Sequence, residues 1–149
     1  MRFLGNIEAK TDAKGRAFLP ATFRKVLQAA GEETLVLRRD VFQPCLVLYP
    51  ESIWNQRLDA LKSRLSQWSA EHQKVLRQFV SEAESVTLDG NGRFLISKRL
   101  LLTTGIQQDI CFIGMDDTIE IWAGGALGET LKDDEQFGTE LERIMNTGI

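Results

Sequence analysis

Two short segments of this chain carry the same three chemical groups at the same spacing: Asp12-Ala13-Lys14-Gly15-Arg16 and Asp89-Gly90-Asn91-Gly92-Arg93. A carboxylate four residues before a guanidinium, with a glycine between them, has three chemical uses. It can close a turn, because Asp, Asn and Gly suit turn backbones and aspartate pairs readily with arginine. It can hold out a cation whose planar fork clamps a phosphate or reads the O6 and N7 edge of guanine. It can contribute to a calcium loop. The third use fails on spacing. A loop begun at Asp89 puts Arg93 at its fifth position, Phe94 at the sixth where glycine is needed, and Leu100 at the twelfth where glutamate is needed.

A turn alone does not require arginine in the same place twice, so the recurrence points to cation presentation. In that reading Asp12 and Asp89 orient Arg16 and Arg93. Gly15 and Gly92 let the backbone approach a phosphate, and Lys10, Lys14 and Arg24 add counter-charge. Other chemistry has little to work with. No Gly-x-x-x-x-Gly-Lys-Ser/Thr loop is present. The single histidine, His72, has polar neighbours on a helix-like stretch, and no two carboxylates are spaced for acid–base work. Cys45 and Cys111 lie in apolar runs without a nearby His or second Cys, which predicts buried free thiols rather than a zinc site. Nothing implies an enzyme, a metal, a cofactor or a small-molecule substrate.

The elements that must position these groups are themselves repeated. Apolar residues follow each arginine (Ala17-Phe18-Leu19, Phe94-Leu95-Ile96), then a helix-start pattern (Pro20 to Arg24, Ser97 to Leu101), then a strand (Leu46 to Tyr49, Ile119 to Trp122). Phe3 to Ala9 and Ala17 to Leu19 read as strands around the first turn, and Glu84 to Leu88 and Phe94 to Ile96 around the second, each turn suiting a hairpin. A duplicated unit of this size predicts one supersecondary module used twice, each copy completing the other's core. Between the copies, Ile53, Trp54, Leu58, Leu61, Leu65 and Trp68 form a helical stripe. Ser69 then caps a second helix that buries Val75, Leu76, Phe79 and Val80. The division is therefore a first module over 1–52, a helical insert over 53–81, a second module over 82–124, and an acidic weak helix or tail over 125–149.

Net charge is −3 over 149 residues, but the charge is unevenly placed. Residues 1–39 carry a net +4 and residues 129–149 a net −4. Local potential, not total charge, steers an anionic partner. No apolar run approaches a membrane span, and the N-terminal residues lack a signal-peptide core, so the expected location is cytoplasmic.

The chain resembles the MraZ family, built from two SpoVT–AbrB-type modules. The resemblance rests on the Phe3-Leu4-Gly5 opening, Thr11 to Arg16 followed by Pro20-Ala21-Thr22-Phe23-Arg24, and the Leu48-Tyr49-Pro50 strand end. The second Asp89-x-x-Gly92-Arg93 and Glu120-Ile121-Trp122 complete it. It implies an α+β fold in which β-hairpins of the two modules interleave into an AbrB-like, double-psi-type barrel flanked by helices. It also implies a nucleoid-associated homo-oligomeric ring that binds double-stranded DNA. Such a regulator represses its own division and cell-wall gene cluster by binding short promoter repeats. The implied surface is Asp12, Lys14, Gly15 and Arg16 with Asp89, Gly92 and Arg93. Two departures stand out: Gly90-Asn91 adds no charge to the second turn, and Ser97 replaces the usual proline. The second turn is thus expected to hold DNA less strongly. Two other readings stay open, an antitoxin-type barrel whose C-terminal segment binds a toxin protein, and a structural ring without specific DNA affinity.

Overall fold

The strands on either side of each Asp-to-Arg turn do not pair with one another. A computed structural model describes residues 1–147. In it β1 (Asn6–Lys10) leads into the first turn and pairs antiparallel with β7 (Asp109–Gly114), from Asn6↔Ile113 to Lys10↔Asp109. Strand β5 (Glu84–Thr87), which leads into the second turn, pairs with β3 (Thr34–Arg39). The strands leaving the turns, β2 (Arg16–Phe18) and β6 (Arg93–Leu95), pair with each other. All three ladders therefore join one sequence copy to the other. The expected local hairpins are replaced by exchange, and packing explains it. A three-residue strand folded back in a hairpin would bring one apolar side chain to the core. Paired across the copies, Ala17 and Phe94 stand opposite each other and are both buried.

With β4 (Leu46–Pro50) and β8 (Ile119–Ala123), the six longer strands form one sheet in the order β1-β7-β8-β4-β3-β5, and β2-β6 forms a separate ribbon. Edge strands β1 and β5 alternate between exposed and half-buried residues, whereas β3 and β4 are buried almost continuously. That is the signature of central strands covered on both faces. One cover is the shared core, where Phe3 meets Phe23 edge-on at 5.6 Å and Phe94 meets Phe112 at 6.3 Å. Phe23 comes from α1 (Ala21–Ala29), and α4 (Lys98–Thr104) contributes Leu100.

The helical insert supplies the second cover. From α2 (Glu51–Lys62), Ile53 and Trp54 are buried, and Trp54 stacks on Phe79 of α3 (Ala70–Ser81) at 5.1 Å. Arg38 locks α3 down. Its guanidinium sits 4.7 Å from the Phe79 ring centre, donates from Nε to the Phe79 carbonyl (2.9 Å), and pairs with Glu82 at 3.3 Å. Two expectations fail here. The stripe does not run on to Trp68, because polar closures end the helix: the Ser66 N–H donates to His72 Nδ1 (2.8 Å), and Ser69 caps α3 by accepting from the His72 N–H. Trp68 is left 89% exposed. No residue of α3 is fully buried, and Val75 and Val80 face outward.

After β8 the chain passes a short 3-10 turn (Leu127–Thr130) into α5 (Asp134–Thr147). The acidic segment is helical over Asp134–Thr147. Cys45 and Cys111 are free and buried around Trp122, and burial raises the pKa of both thiols. Among the described residues, no helix is long and apolar enough to cross a membrane.

Candidate nucleic-acid interface

Each turn is built the same way around its aspartate. Asp12 Oδ1 accepts the backbone N–H groups of Lys14 and Arg16, both at 2.9 Å, and Oδ2 accepts Arg16 Nε at 2.7 Å. In the second turn Asp89 Oδ1 accepts from the Asn91 and Arg93 backbone at 2.9 Å, and Oδ2 accepts Arg93 Nε at 2.9 Å. Backbone bonds close both loops identically: Asp12 N–H to the Arg16 carbonyl and Asp89 N–H to the Arg93 carbonyl, each 2.8 Å. The backbone N–H of Arg16 and that of Arg93 are the foremost cause that holds each aspartate below the usual carboxylate range. Both carboxylates are therefore ionised near neutral pH.

This geometry decides what the arginines can offer. A guanidinium has five N–H donors, and the carboxylate takes only the one on Nε. Among the described residues, the terminal nitrogens of Arg16 and Arg93 have no hydrogen-bond partner. Each aspartate thus holds its arginine by Nε and leaves the terminal nitrogens without a partner, the two side chains being 34% and 26% exposed. The ribbon joins the two turns. Its register sets Arg16 opposite Leu95 and Phe18 opposite Arg93, so these four side chains share one face while Ala17 and Phe94 take the other. At two residues along a strand, the arginines are offset by about 7 Å along the ribbon.

Phe18 and Leu95 are over half exposed on that face, at 57% and 54%. Sequence reasoning had placed them only as generic strand residues. The alternation Arg16-Ala17-Phe18-Leu19, with positions 17 and 19 buried, was the signal that could have found them. Arg93 lies over the Phe18 ring at 5.8 Å, a contact the first turn lacks among those described.

The glycines and the remaining cations stand differently from expectation. Gly15 and Gly92 both have positive φ, +86° and +83°. A Cβ on Gly15 would come within 2.8 Å of the Ile96 carbonyl, and one on Gly92 would overlap the Arg24 guanidinium. The open side of each glycine therefore receives the other copy of the repeat. Across the same contacts, Ile96 N–H donates to the Gly15 carbonyl (2.9 Å) and Leu19 N–H to the Gly92 carbonyl (3.0 Å). Arg24, on α1, does not reach the first turn. Its Nη1 donates to the Asn91 carbonyl of the second turn at 3.2 Å. Lys14 is exposed at the first turn, whereas Lys10 faces Asp109 at 3.8 Å. Of the other basic residues that make the N-terminal third positive, Arg2 pairs with Asp116 and Arg38 is buried against α3. Lys25 and Arg39 are exposed with no ion pair among the described residues, and Arg16 is itself paired with Asp12, so the positive charge of the N-terminal third is not confined to the turns.

The chain matches the family described as "MraZ protein, putative antitoxin-like", once over residues 2–78 and again over 79–134. It is 60% identical over 147 residues to "Transcriptional regulator MraZ" of Phocaeicola vulgatus, covering 99% of this chain and 96% of that one. Bacteroides thetaiotaomicron and Bacteroides fragilis have proteins of the same name at 58% and 57% identity. They cover 98% and 97% of this chain, and 94% and 92% of their own lengths. These names describe regulators of transcription and not enzymes. A repeat whose copies pair through the β1–β7, β2–β6, β3–β5 and β4–β8 ladders, each copy carrying the same aspartate-braced arginine, belongs with them: the chain is a member of the MraZ family.

Proposed function

We propose that this protein is a cytoplasmic, nucleoid-associated transcriptional regulator that represses its own division and cell-wall gene cluster. It binds short promoter repeats in double-stranded DNA through the β2–β6 ribbon and the two flanking turns. The observation that carries this reading is the pair of arginines held from behind by Asp12 and Asp89, with their terminal nitrogens unengaged. A two-stranded ribbon fits the major groove, where such a fork reads guanine and an exposed apolar side chain meets a thymine methyl group. Arg16 and Arg93 take the first role, and Phe18 and Leu95 the second. Lys14 and Arg24 contact phosphates, while Gly15 and Gly92 hold the turns in place.

In the same reading the crossed ladders form an interleaved, double-psi-type barrel of modules 1–52 and 82–124, with the insert 53–81 and the tail 125–149 outside it. Copies assemble into a ring. Several weak sites meeting several spaced repeats then gain affinity through effective concentration, which reconciles regulation with a net charge of −3.

The test is fluorescence anisotropy on DNA from upstream of the protein's own gene against scrambled DNA, across a salt series. Preference for the native DNA with a steep salt slope is expected. Equal affinity for both at every salt concentration overturns the reading. The antitoxin-type reading draws on the exposed, acidic α5. It predicts that a basic partner protein co-purifies and is lost on truncation after Trp122.

A further inference from the structure

The exposed faces of the two ribbon strands repeat each other except at one position. Arg16-Ala17-Phe18 answers Arg93-Phe94-Leu95, and the middle residue of each is buried. The third residue points away from the core, so it can differ without disturbing the packing. It is a phenyl ring in the first copy and an isobutyl group in the second, each more than half exposed. Antiparallel register then hands each of them to the arginine of the other copy: Leu95 stands opposite Arg16, and Phe18 opposite Arg93.

The two pairs are not equivalent. The Arg93 guanidinium carbon lies 5.8 Å from the centre of the Phe18 ring, within the reach of about 6 Å over which an aromatic face attracts a cation. Its Nε is already held by Asp89 at 2.9 Å. Two contacts therefore fix the Arg93 fork. Among the described residues Arg16 has only its aspartate, and its side chain is the more exposed of the two. Covering Arg93 uses only part of the ring, since most of Phe18 still faces solvent.

Spacing says what the rest of the ring can meet. Side chains directly opposite on an antiparallel pair are about 4.5–5.5 Å apart at Cβ. Neighbouring bases of one DNA strand rise by about 3.4 Å. With the terminal nitrogens of Arg93 on the O6 and N7 of a guanine, Phe18 faces the base beside it. A phenyl ring has no donor or acceptor, so it is blind to the group on C4 that separates thymine from cytosine. The apolar group that a base edge offers in the major groove is the methyl on pyrimidine C5. We propose that Phe18 and Arg93 form one composite reader of a C5-methylated pyrimidine adjoining a guanine. Thymine and 5-methylcytosine are equivalent to it, and unmethylated cytosine is rejected. Phe18 determines specificity for the methyl group and is a positioning residue for Arg93. Methylation of a cytosine beside the guanine then tightens binding, which places the site under control of base modification. The inference rests on the DNA-binding reading above and names the base chemistry of that same site.

The test measures fluorescence anisotropy of the full chain on DNA from upstream of its own gene, in two series of duplexes. One replaces a single thymine at a time by deoxyuridine, which removes only the methyl group. The other replaces a single cytosine at a time by 5-methylcytosine, which adds only a methyl group. At a pyrimidine adjoining a guanine, the methyl group is expected to change wild-type affinity about fourfold, the effect of burying one such group. Phe18→Ala should be indifferent there and should also lose part of the preference for the adjoining guanine. Phe18→Tyr keeps the ring face and should restore both. Position 18 is exposed, so circular dichroism and the unfolding midpoint should be unchanged in either variant, and both DNA series are decisive on the wild type alone. Indifference of the wild type to every methyl group overturns the proposal. So does a sensitive position that Phe18→Ala reads as well as the wild type does, or a guanine preference that Phe18→Ala leaves intact. Each of these failures is compatible with a continued preference for native over scrambled DNA, which would keep the regulator reading. Loss of that preference in the wild type would overturn both.

Discussion

The two Asp-to-Arg turns share a backbone scaffold bond for bond, yet they are surrounded differently. The first carries Lys14 in its own loop, and its glycine abuts a rigid neighbour, the Ile96 carbonyl. The second has Asn91 in that place and borrows Arg24 from the other copy, whose flexible guanidinium sits against its glycine. Each turn thus has two cations: Lys14 and Arg16 both by sequence in the first, Arg93 by sequence and Arg24 by folding in the second. A charge missing from a motif in sequence can be restored in space by a residue 67 positions away. The expectation that the second turn holds DNA less strongly considered its own sequence alone, Gly90-Asn91 and Ser97. With Arg24 counted, the two turns should come closer to parity.

The comparison breaks most sharply at the glycines. Gly15→Ala forces a side chain into the positive-φ region and against a backbone oxygen, so it should cost about 3 kcal/mol of stability. Gly92→Ala meets a side chain that can swing away and should cost about 1–2 kcal/mol. Urea unfolding of both variants measures the difference, and equal losses would show that the Ile96 carbonyl yields as easily as Arg24.

The next effect is on binding. Arg16→Ala should remove about 1–3 kcal/mol of discrimination per contacting copy while leaving the unfolding midpoint unchanged. Arg93→Ala should lose a similar amount if Arg24 completes the second turn, and Arg24→Ala should weaken binding to native and scrambled DNA alike. Unchanged affinity for Arg16→Ala would remove the turns from the interface. Anisotropy at fixed salt reads all three.

A smaller change sharpens the comparison. Asn91→Lys gives the second turn the lysine of the first, and should steepen the log K against log salt slope by about 1 per contacting turn. No change in slope would place Asn91 away from phosphate.

The smallest expected effect is that of pH. The ordinary carboxyl value is 3.8, and Asp12 and Asp89 titrate below it in the folded chain. Their contribution to the turns is therefore complete above pH 3.8 and is lost as the pH falls through the lowered values. Thermal stability should show no pH dependence from these groups near neutrality. Below pH 4 the wild type should lose stability that Asp12→Asn/Asp89→Asn, already without it, does not. Parallel curves for the two proteins would mean that the carboxylates do not brace the turns.

Much of this was legible in the chain. The repeat, the paired arginines, their aspartate braces, the Ser69 and Ser97 caps and the insert were all readable, because each is a statement about neighbours in sequence. The failures are equally local. Leu65 and Trp68 continue a helical stripe numerically, but hydrogen bonds among Ser66, Ser69 and His72 turn the chain first. Val75 and Val80 have helical spacing, yet α3 is held from one side only, by Arg38 and Trp54, so much of its apolar surface has no cover.

The sequence by itself determined which residues form the turns, since Asp, Gly and Arg at that spacing satisfy their own backbone whatever surrounds them. It determined the family too, through residues spread over almost the whole length. Only the tertiary structure decided which strands pair, that Arg24 serves the opposite copy, that Phe18 and Leu95 flank the arginines, and that Arg38 is buried and unavailable to a ligand. The physical reason is that ladders, covers and free charges depend on which distant segments meet. Two copies of one motif leave that choice open until the core has closed around both.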